Sequence, residues 1–355
     1  MLFLFYIACV AHDGSCAIMR YNRIFFIGAA ALLTFLISAC GSKGPAGTES
    51  GAGAKDAIVL KAGFSTSAAD PRVVATQLFK EEVESATDGR ITVQIHPDGE
   101  LGADSELIEG VINSKVDITA SSAGNFATYA PNVGISAFPF LFDGFDEAWD
   151  FVDSEVETEA EEELVDYNIK VLGHYDNGFR CVTTSDKIGP VDEVSDMEGL
   201  VIRTPENQIV MQTMLLLGAR PKVLDFTQLY DALKNGEFDA QENPIPVIYN
   251  NKLYEVQSNL AITNHSYDVM LFVIANDVWD SLSDEDRQIL SRAAAKAQAK
   301  DRELIRSQTE EYIGKLEEEG MTVTHPDLAE FKEATSSAVQ IFADTYDADL
   351  LEKIR

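Results

Sequence analysis

Two stretches far apart in the chain match each other position for position. Leu107-Ile108-Glu109-Gly110-Val111-Ile112-Asn113-Ser114-Lys115-Val116-Asp117 aligns without a gap with Leu229-Tyr230-Asp231-Ala232-Leu233-Lys234-Asn235-Gly236-Glu237-Phe238-Asp239. Aliphatic, acidic, small and aspartate positions coincide, and each stretch reads as helix, small-residue stop, then strand. Chance likeness of two helix ends is the competing reading. A true repeat constrains the chain to two lobes of similar build, one around each copy. In the same register Ser121 falls opposite Asn243, so the loops after the matched strands can face each other across a cleft. Ligands of open α/β sheets sit outside the carboxyl ends of such strands. At 355 residues the chain exceeds one ordinary domain, as two lobes require.

The surrounding sequence supplies the elements. Ala57 to Phe64 reads as a strand, Ser65 to Pro71 as a loop and Arg72 to Ala86 as an amphipathic helix. The turn Asp88-Gly89 leads to the strand Ile91 to Ile95, then the helix Asp104 to Asn113 and the strand Val116 to Ala120. Strands alternating with helices imply an α/β fold with a mostly parallel sheet. Ser121 to Asn125, with Phe64 to Ser67 beside it, is the expected first-lobe wall of the cleft. Phe138-Pro139-Phe140-Leu141-Phe142 is apolar and broken by proline, which suits core packing better than an aromatic ligand box. Phe145 to Val165 reads as an acidic helix with a solvated glutamate face. Ile169 to Leu172 is a strand feeding a loop, Gly173 to Gly178, where the chain first crosses between lobes. Val256 to Thr263 and Val269 to Ala275 read as two returning strands. Ser283-Asp284-Glu285-Asp286 has capping-box chemistry, and apolar residues at helical spacing continue the helix to Glu319. Such a helix is on the order of 50 Å long and should lie across both lobes.

Gly199-Leu200-Val201-Ile202-Arg203-Thr204-Pro205-Glu206 places an arginine at the mouth of a short buried strand. Pro205 stops the strand and opens a helix. A guanidinium there can grip a carboxylate with two parallel hydrogen bonds, or it can pair with an internal Asp or Glu. The order of motifs then decides. Asn177-Gly178-Phe179-Arg180 precedes this stretch. Pro221 to Phe226, Leu229 to Leu233 and Asn235-Gly236-Glu237-Phe238-Asp239-Ala240-Gln241-Glu242-Asn243-Pro244 follow it. From about Ala57 to the C-terminus the chain resembles the DctP-type solute-binding proteins of TRAP transporters, which capture organic acids outside the membrane.

The resemblance implies a two-lobed, periplasmic-binding-protein-like α/β fold of type II with a long helix spanning both lobes. It divides the chain into residues 57–176 plus 269–304 for the first lobe and 177–268 plus 305–355 for the second. It implies that Arg203 holds the ligand carboxylate and that Arg180 and Asn243 add contacts from the same lobe; the reading of the chain itself adds Ser65, Ser122, Asn125, Glu206 and Phe226 as the rest of the expected pocket. It implies no cofactor and no metal, and delivery of the ligand to TRAP permease subunits driven by an ion gradient. Members that bind sialic acid typically carry a carboxylate where Ser122 stands and an arginine where Asn125 stands, so that ligand is not expected. Ser122, Asn125, Glu206 and Asn243 offer partners to several hydroxyls around one carboxylate, which favours a sugar acid such as a uronate. A C4-dicarboxylate is next, and would want a second cation at the far end of the pocket. Arg180 could supply it.

Charge and the N-terminus place the chain. The formal net charge of −32 argues against nucleic acid and against adsorption on anionic lipid. Arg20 and Arg23 followed by the apolar run Ile24 to Leu36 read as a secretory signal. Ile37-Ser38-Ala39-Cys40 resembles a lipobox, so residues 1–39 would be removed and Cys40 lipidated at the outer face of the membrane. Met1 to Ile18 carries no cation, which puts the expected start at Met19. Residues 40–56, rich in Gly, Ser and Ala, read as a tether. Of four cysteines only Cys181 lies in the folded part, too few for an internal disulfide. No HExxH, CxxC, P-loop or GxSxG motif occurs. An exported hydrolase or lyase would have to assemble from His174, His265 and Glu242 in three dimensions. A receptor that reports to a sensor kinase is the other alternative.

Overall fold

The repeat seen in the sequence sets the topology of the sheet. The computed structural model describes residues 57–354, so the export signal, Cys40 and the tether lie outside the described residues. In chain order it contains β1 (Ile58–Gly63), α1 (Pro71–Ala86), β2 (Ile91–His96), α2 (Asp104–Ile112), β3 (Ile118–Ser122) and α3 (Ala123–Phe126). There follow α4 (Phe145–Val152), α5 (Glu155–Glu161), β4 (Ile169–Thr184), β5 (Val201–Thr204), α6 (Gln208–Leu216) and β6 (Arg220–Val223). The chain continues through α7 (Leu229–Lys234), β7 (Ala240–Pro244), α8 (Ile245–Asn250), β8 (Asn259–Ala275), α9 (Asn276–Ser281), α10 (Asp284–Glu318) and β9 (Thr322–Thr324).

The sheet order β2-β1-β3-β8-β4-β7-β5-β6, with β9 on β8, is symmetric about the β8–β4 pair. On one side β1 runs parallel to β2 and β3, and β3 is antiparallel to β8. On the other, β5 runs parallel to β6 and β7, and β7 is antiparallel to β4. The repeat register carries β3 onto β7 residue for residue. Gly63 therefore sits opposite Thr119 as Arg203 sits opposite Gln241. Arg203 occupies in one half the place that Gly63 holds in the other. A Cβ at Gly63 would lie 2.6 Å from Leu107 Cδ2, so a side chain there would have to displace that leucine.

β4 and β8 correct the expected crossing loops. Each is one unbroken strand, of 16 and 17 residues, paired with the other along its length. The strand predicted at Ile169–Leu172 continues straight through Gly173–Gly178, and the two strands predicted at Val256–Thr263 and Val269–Ala275 are one. Polar residues made these segments read as loops, yet His174, Asp176, Asn177, Arg180, His265 and Asp268 are all buried inside the sheet. Register shifts between Val171 and Gly173, Asp176 and Gly178, and Arg180 and Val182 bend the ladder where the halves meet. The acidic helix predicted from Phe145 to Val165 is also divided, because Ser154 caps α5 by accepting from the Val156 N–H. Pro205 ends β5 but opens no helix. α6 starts at Gln208, with the Asn207 side chain accepting from the Ile209 and Val210 N–H groups.

Packing matches the expectations elsewhere. Phe138 and Phe142 are core residues, Phe138 meeting Phe342 and Tyr346 edge-on and Phe142 meeting Tyr267. α10 is 35 residues long, with Ser283 accepting from the Asp286 N–H, and it packs on α1 and β4 in one half and on α8 in the other.

Beneath α10 lies a partly buried charged cluster. His174 on β4 bonds Glu161 at 2.6 Å and Asp153 at 3.1 Å, and Arg302 of α10 grips Asp153 with two hydrogen bonds. Glu157 is fully buried beside them, and neither of its carboxyl oxygens has a partner. Burial, with Glu161 nearby, pushes Glu157 up to about 8. Burial opposes the His174 cation, but Asp153 and Glu161 outweigh it and raise the imidazole to about 9. Both groups hold their proton more tightly folded than unfolded, so their stabilisation is complete at low pH. It is lost as pH rises, from about 4.5 to 8 for Glu157 and from about 6.5 to 9 for His174. Chemical denaturation across this range should show stability falling as pH rises, by up to about 8 kcal/mol if the two contributions add. His174→Gln should reduce the fall above about pH 6.5 and leave the share that Glu157 contributes.

Candidate functional site

Arg203 ends up buried and unpaired. It is 2% exposed, fixed on β5 by the strand ladder, and its Nε donates to the Leu224 carbonyl at 2.8 Å. Its guanidinium carbon lies 6.0 Å from the Phe226 ring centroid. Among the described residues no carboxylate bridges it, and its two terminal nitrogens make no hydrogen bond. Burial lowers its affinity for the proton to about 10; Glu242 opposes that fall and the Arg180 cation adds to it. A guanidinium in this state gains from any carboxylate that reaches it.

Arg180, not Arg203, is the internally paired arginine. It binds Glu242 through Nε and Nη2 and Asp268 through Nη1, and Nη2 also reaches Asn243 Oδ1 at 3.3 Å. Despite burial the two carboxylates raise its proton affinity further. Asp268 is shared, accepting from Ser122 Oγ at 2.6 Å and Asn177 Nδ2 at 2.8 Å. Across the cleft Asp104, at the start of α2, accepts from the Ser65 and Ser121 hydroxyls at 2.9 Å each, both on Oδ1. Its Oδ2 makes no hydrogen bond among the described residues.

These groups line one cleft between the two halves of the sheet. Arg203, Arg180, Asn243, Ser65, Ser122 and Asn125 surround an inner chamber of about 40 Å³, with Phe226 alongside. Asn125, Asp104, Arg203 and Phe226 also border an outer mouth of about 200 Å³. Glu206 belongs to the mouth alone, exposed and outside the chamber. Sequence reasoning thus located the chamber but missed Asp104, Asp268, Asn177 and Arg72. Asp268 fell in the gap between two supposed strands, Asn177 in a supposed loop, and Arg72 and Asp104 read as ordinary helix starts.

The profile of the bacterial extracellular solute-binding proteins, family 7 (DctP), matches residues 62–345. The chain belongs to the DctP family. It is 32% identical over 282 residues to the 2,3-diketo-L-gulonate-binding periplasmic protein YiaO of Escherichia coli K12, covering 79% of this chain and 85% of that protein. A TRAP periplasmic solute-binding protein of Polaromonas sp. JS666, solved with D-erythronate, superposes with a TM-score of 0.81 at 31% identity, covering 84% of this chain and 98% of that one. The sugar-acid-binding protein DctPAm of Advenella mimigardefordensis, solved with galactonate, also scores 0.81, at 28% identity, covering 84% and 97%.

This DctP-family chain is therefore a two-lobed extracytoplasmic solute receptor of the TRAP type and not an enzyme. The candidate catalytic groups agree. Thr263, His265 and Glu242 do form a hydroxyl–imidazole–carboxylate chain, at 2.8 and 3.4 Å, but each is 0% exposed, so no substrate reaches it. His174 lies in the cluster beneath α10, away from the chamber lining.

One close approach across the cleft has no slack. A Cβ on Gly124, at the start of α3, would lie 1.9 Å from Asn207 Nδ2, the residue that caps α6 beyond Arg203. Gly124→Ala should therefore keep the lobes from meeting fully. We expect a melting temperature close to wild type without ligand and affinity weakened tenfold or more, read by calorimetric titration.

Proposed function

We propose that this receptor binds a hydroxylated monocarboxylate of the sugar-acid class, its carboxylate on Arg203 and its hydroxyls against Asp104, Ser122, Asn125 and Asn243. The observation that carries this reading is the charge pattern of the chamber. Arg72 and Arg180 are neutralised by Asp70, Glu242 and Asp268, which leaves Arg203 as the one lining arginine without a paired carboxylate among the described residues. One uncompensated cation suits one carboxylate. Asp104 offers a free acceptor oxygen, which favours a hydroxyl and repels a second carboxylate. Relatives solved with erythronate and galactonate support the same class. Arg180 and Glu206 contribute through the network behind the carboxylate and at the mouth, and Phe226 covers Arg203.

In this proposal residues 57–176 plus 269–304 close on residues 177–268 plus 305–355 about the register shifts of β4 and β8. Closure removes water from the Arg203 ion pair and strengthens it. The closed receptor then delivers its ligand to the membrane subunits of a TRAP permease, held nearby by lipid on Cys40.

Titration of the purified receptor with galactonate, glucuronate, galacturonate, malate and succinate tests the ligand class. Tight binding is expected for a hydroxylated monocarboxylate, and tight succinate binding with no response to the sugar acids would overturn the reading. Arg203→Lys keeps the charge but not the planar fork; it should cost about 2 kcal/mol or more in binding and leave the unliganded fold intact. Cys40→Ser should abolish membrane attachment and lipid labelling in cells; attachment matching wild type would refute the anchor.

A further inference from the structure

Arg72 stands where a structural residue gains little from being arginine. It is the second residue of α1, and no acidic side chain lies in that first turn. A cation at a helix N-terminus opposes the helix dipole, and this one is also only 6% exposed. Capping does not require it, since Asp70 already accepts from the Arg72 backbone N–H and from Thr66 Oγ1. Asp70 takes Nε at 2.9 Å and Nη2 at 3.3 Å, and Asn177 lies 3.5 Å from Nη2. Nη1 is left with the Met270 thioether at 3.8 Å, a weak acceptor. Arg72 lines the same chamber as Arg203, from the opposite lobe. In the repeat the first-lobe counterpart of Arg203 is Gly63, which carries no side chain, and on this side of the chamber the cation comes from the helix instead.

We propose that Arg72 determines which ligand length the receptor accepts, its Nη1 donating to an oxygen at the end of the ligand remote from the carboxylate. This rests on Arg203 as the carboxylate seat. A hydroxyl or carbonyl oxygen satisfies Nη1 without adding charge, because Asp70 already balances the guanidinium. An acid too short to span the chamber leaves Nη1 on the thioether and forgoes that bond.

Calorimetric titration of wild type, Arg72→Met and Arg72→Lys with glycerate, erythronate and galactonate tests this. Wild-type affinity should rise along the series. Arg72→Met should lose tenfold or more for galactonate and less than twofold for glycerate, with Arg72→Lys between. A uniform loss across the series, as a merely structural role would give, overturns the proposal, and so does no loss. If wild type binds none of the three, the sugar-acid reading fails separately. Arg72 is then tested with succinate against propanoate: a loss confined to succinate supports the role at the remote end, and an equal or absent loss removes it.

Discussion

A guanidinium buried without a counter-charge is costly, and the cleft is organised around keeping Arg203 in that condition. Desolvation, with the Arg180 cation adding to it, pulls its proton affinity down to about 10. Three of the acids around the chamber are engaged by other arginines: Glu242 and Asp268 by Arg180, and Asp70 by Arg72. Asp104 faces the same space but is held by two serine hydroxyls. Were any of these carboxylates to turn onto Arg203, the fold would gain an internal ion pair and lose its hold on a ligand. The dense hydrogen-bonding behind the chamber acts as a restraint on those carboxylates as much as a source of contacts.

The duplicated sheet explains why one lobe grips and the other completes. The register that carries β3 onto β7 places Arg203 and Gly63 at equivalent points. Leu107 packs against the bare Gly63 backbone, while the Leu224 carbonyl and the Phe226 ring hold Arg203. Symmetry built the cleft, and departures from it made the two walls chemically different.

Much of this was legible in the chain itself. The repeat between Leu107–Asp117 and Leu229–Asp239 foretold two matched halves, and the strand-end position of Arg203 foretold its role in the chamber wall. What stayed hidden was the length of β4 and β8. Periodicity identifies a strand by an apolar face, but the middle of these strands carries His174, Asp176, Asn177, Arg180, His265 and Asp268. Their polarity is satisfied by one another, across distances no local window spans. The pairing of Arg180 stayed hidden for the same reason: the tie to Glu242 and Asp268 exists only once both strands are in place. Arg72 and Asp104 were hidden by their neighbours, since a helix start explains such residues well enough without a pocket.

The continuity of β4 and β8 has a thermodynamic consequence. Lobes joined by a loose connection can unfold one after the other, each with its own midpoint. Here both lobes share an antiparallel ladder that runs from Ile169–Ala275 at one end to Thr184–Asn259 at the other. Melting either half strips the other of its central strand partner and exposes a sheet edge through its core. The receptor should therefore unfold as a single cooperative unit despite its two-part shape.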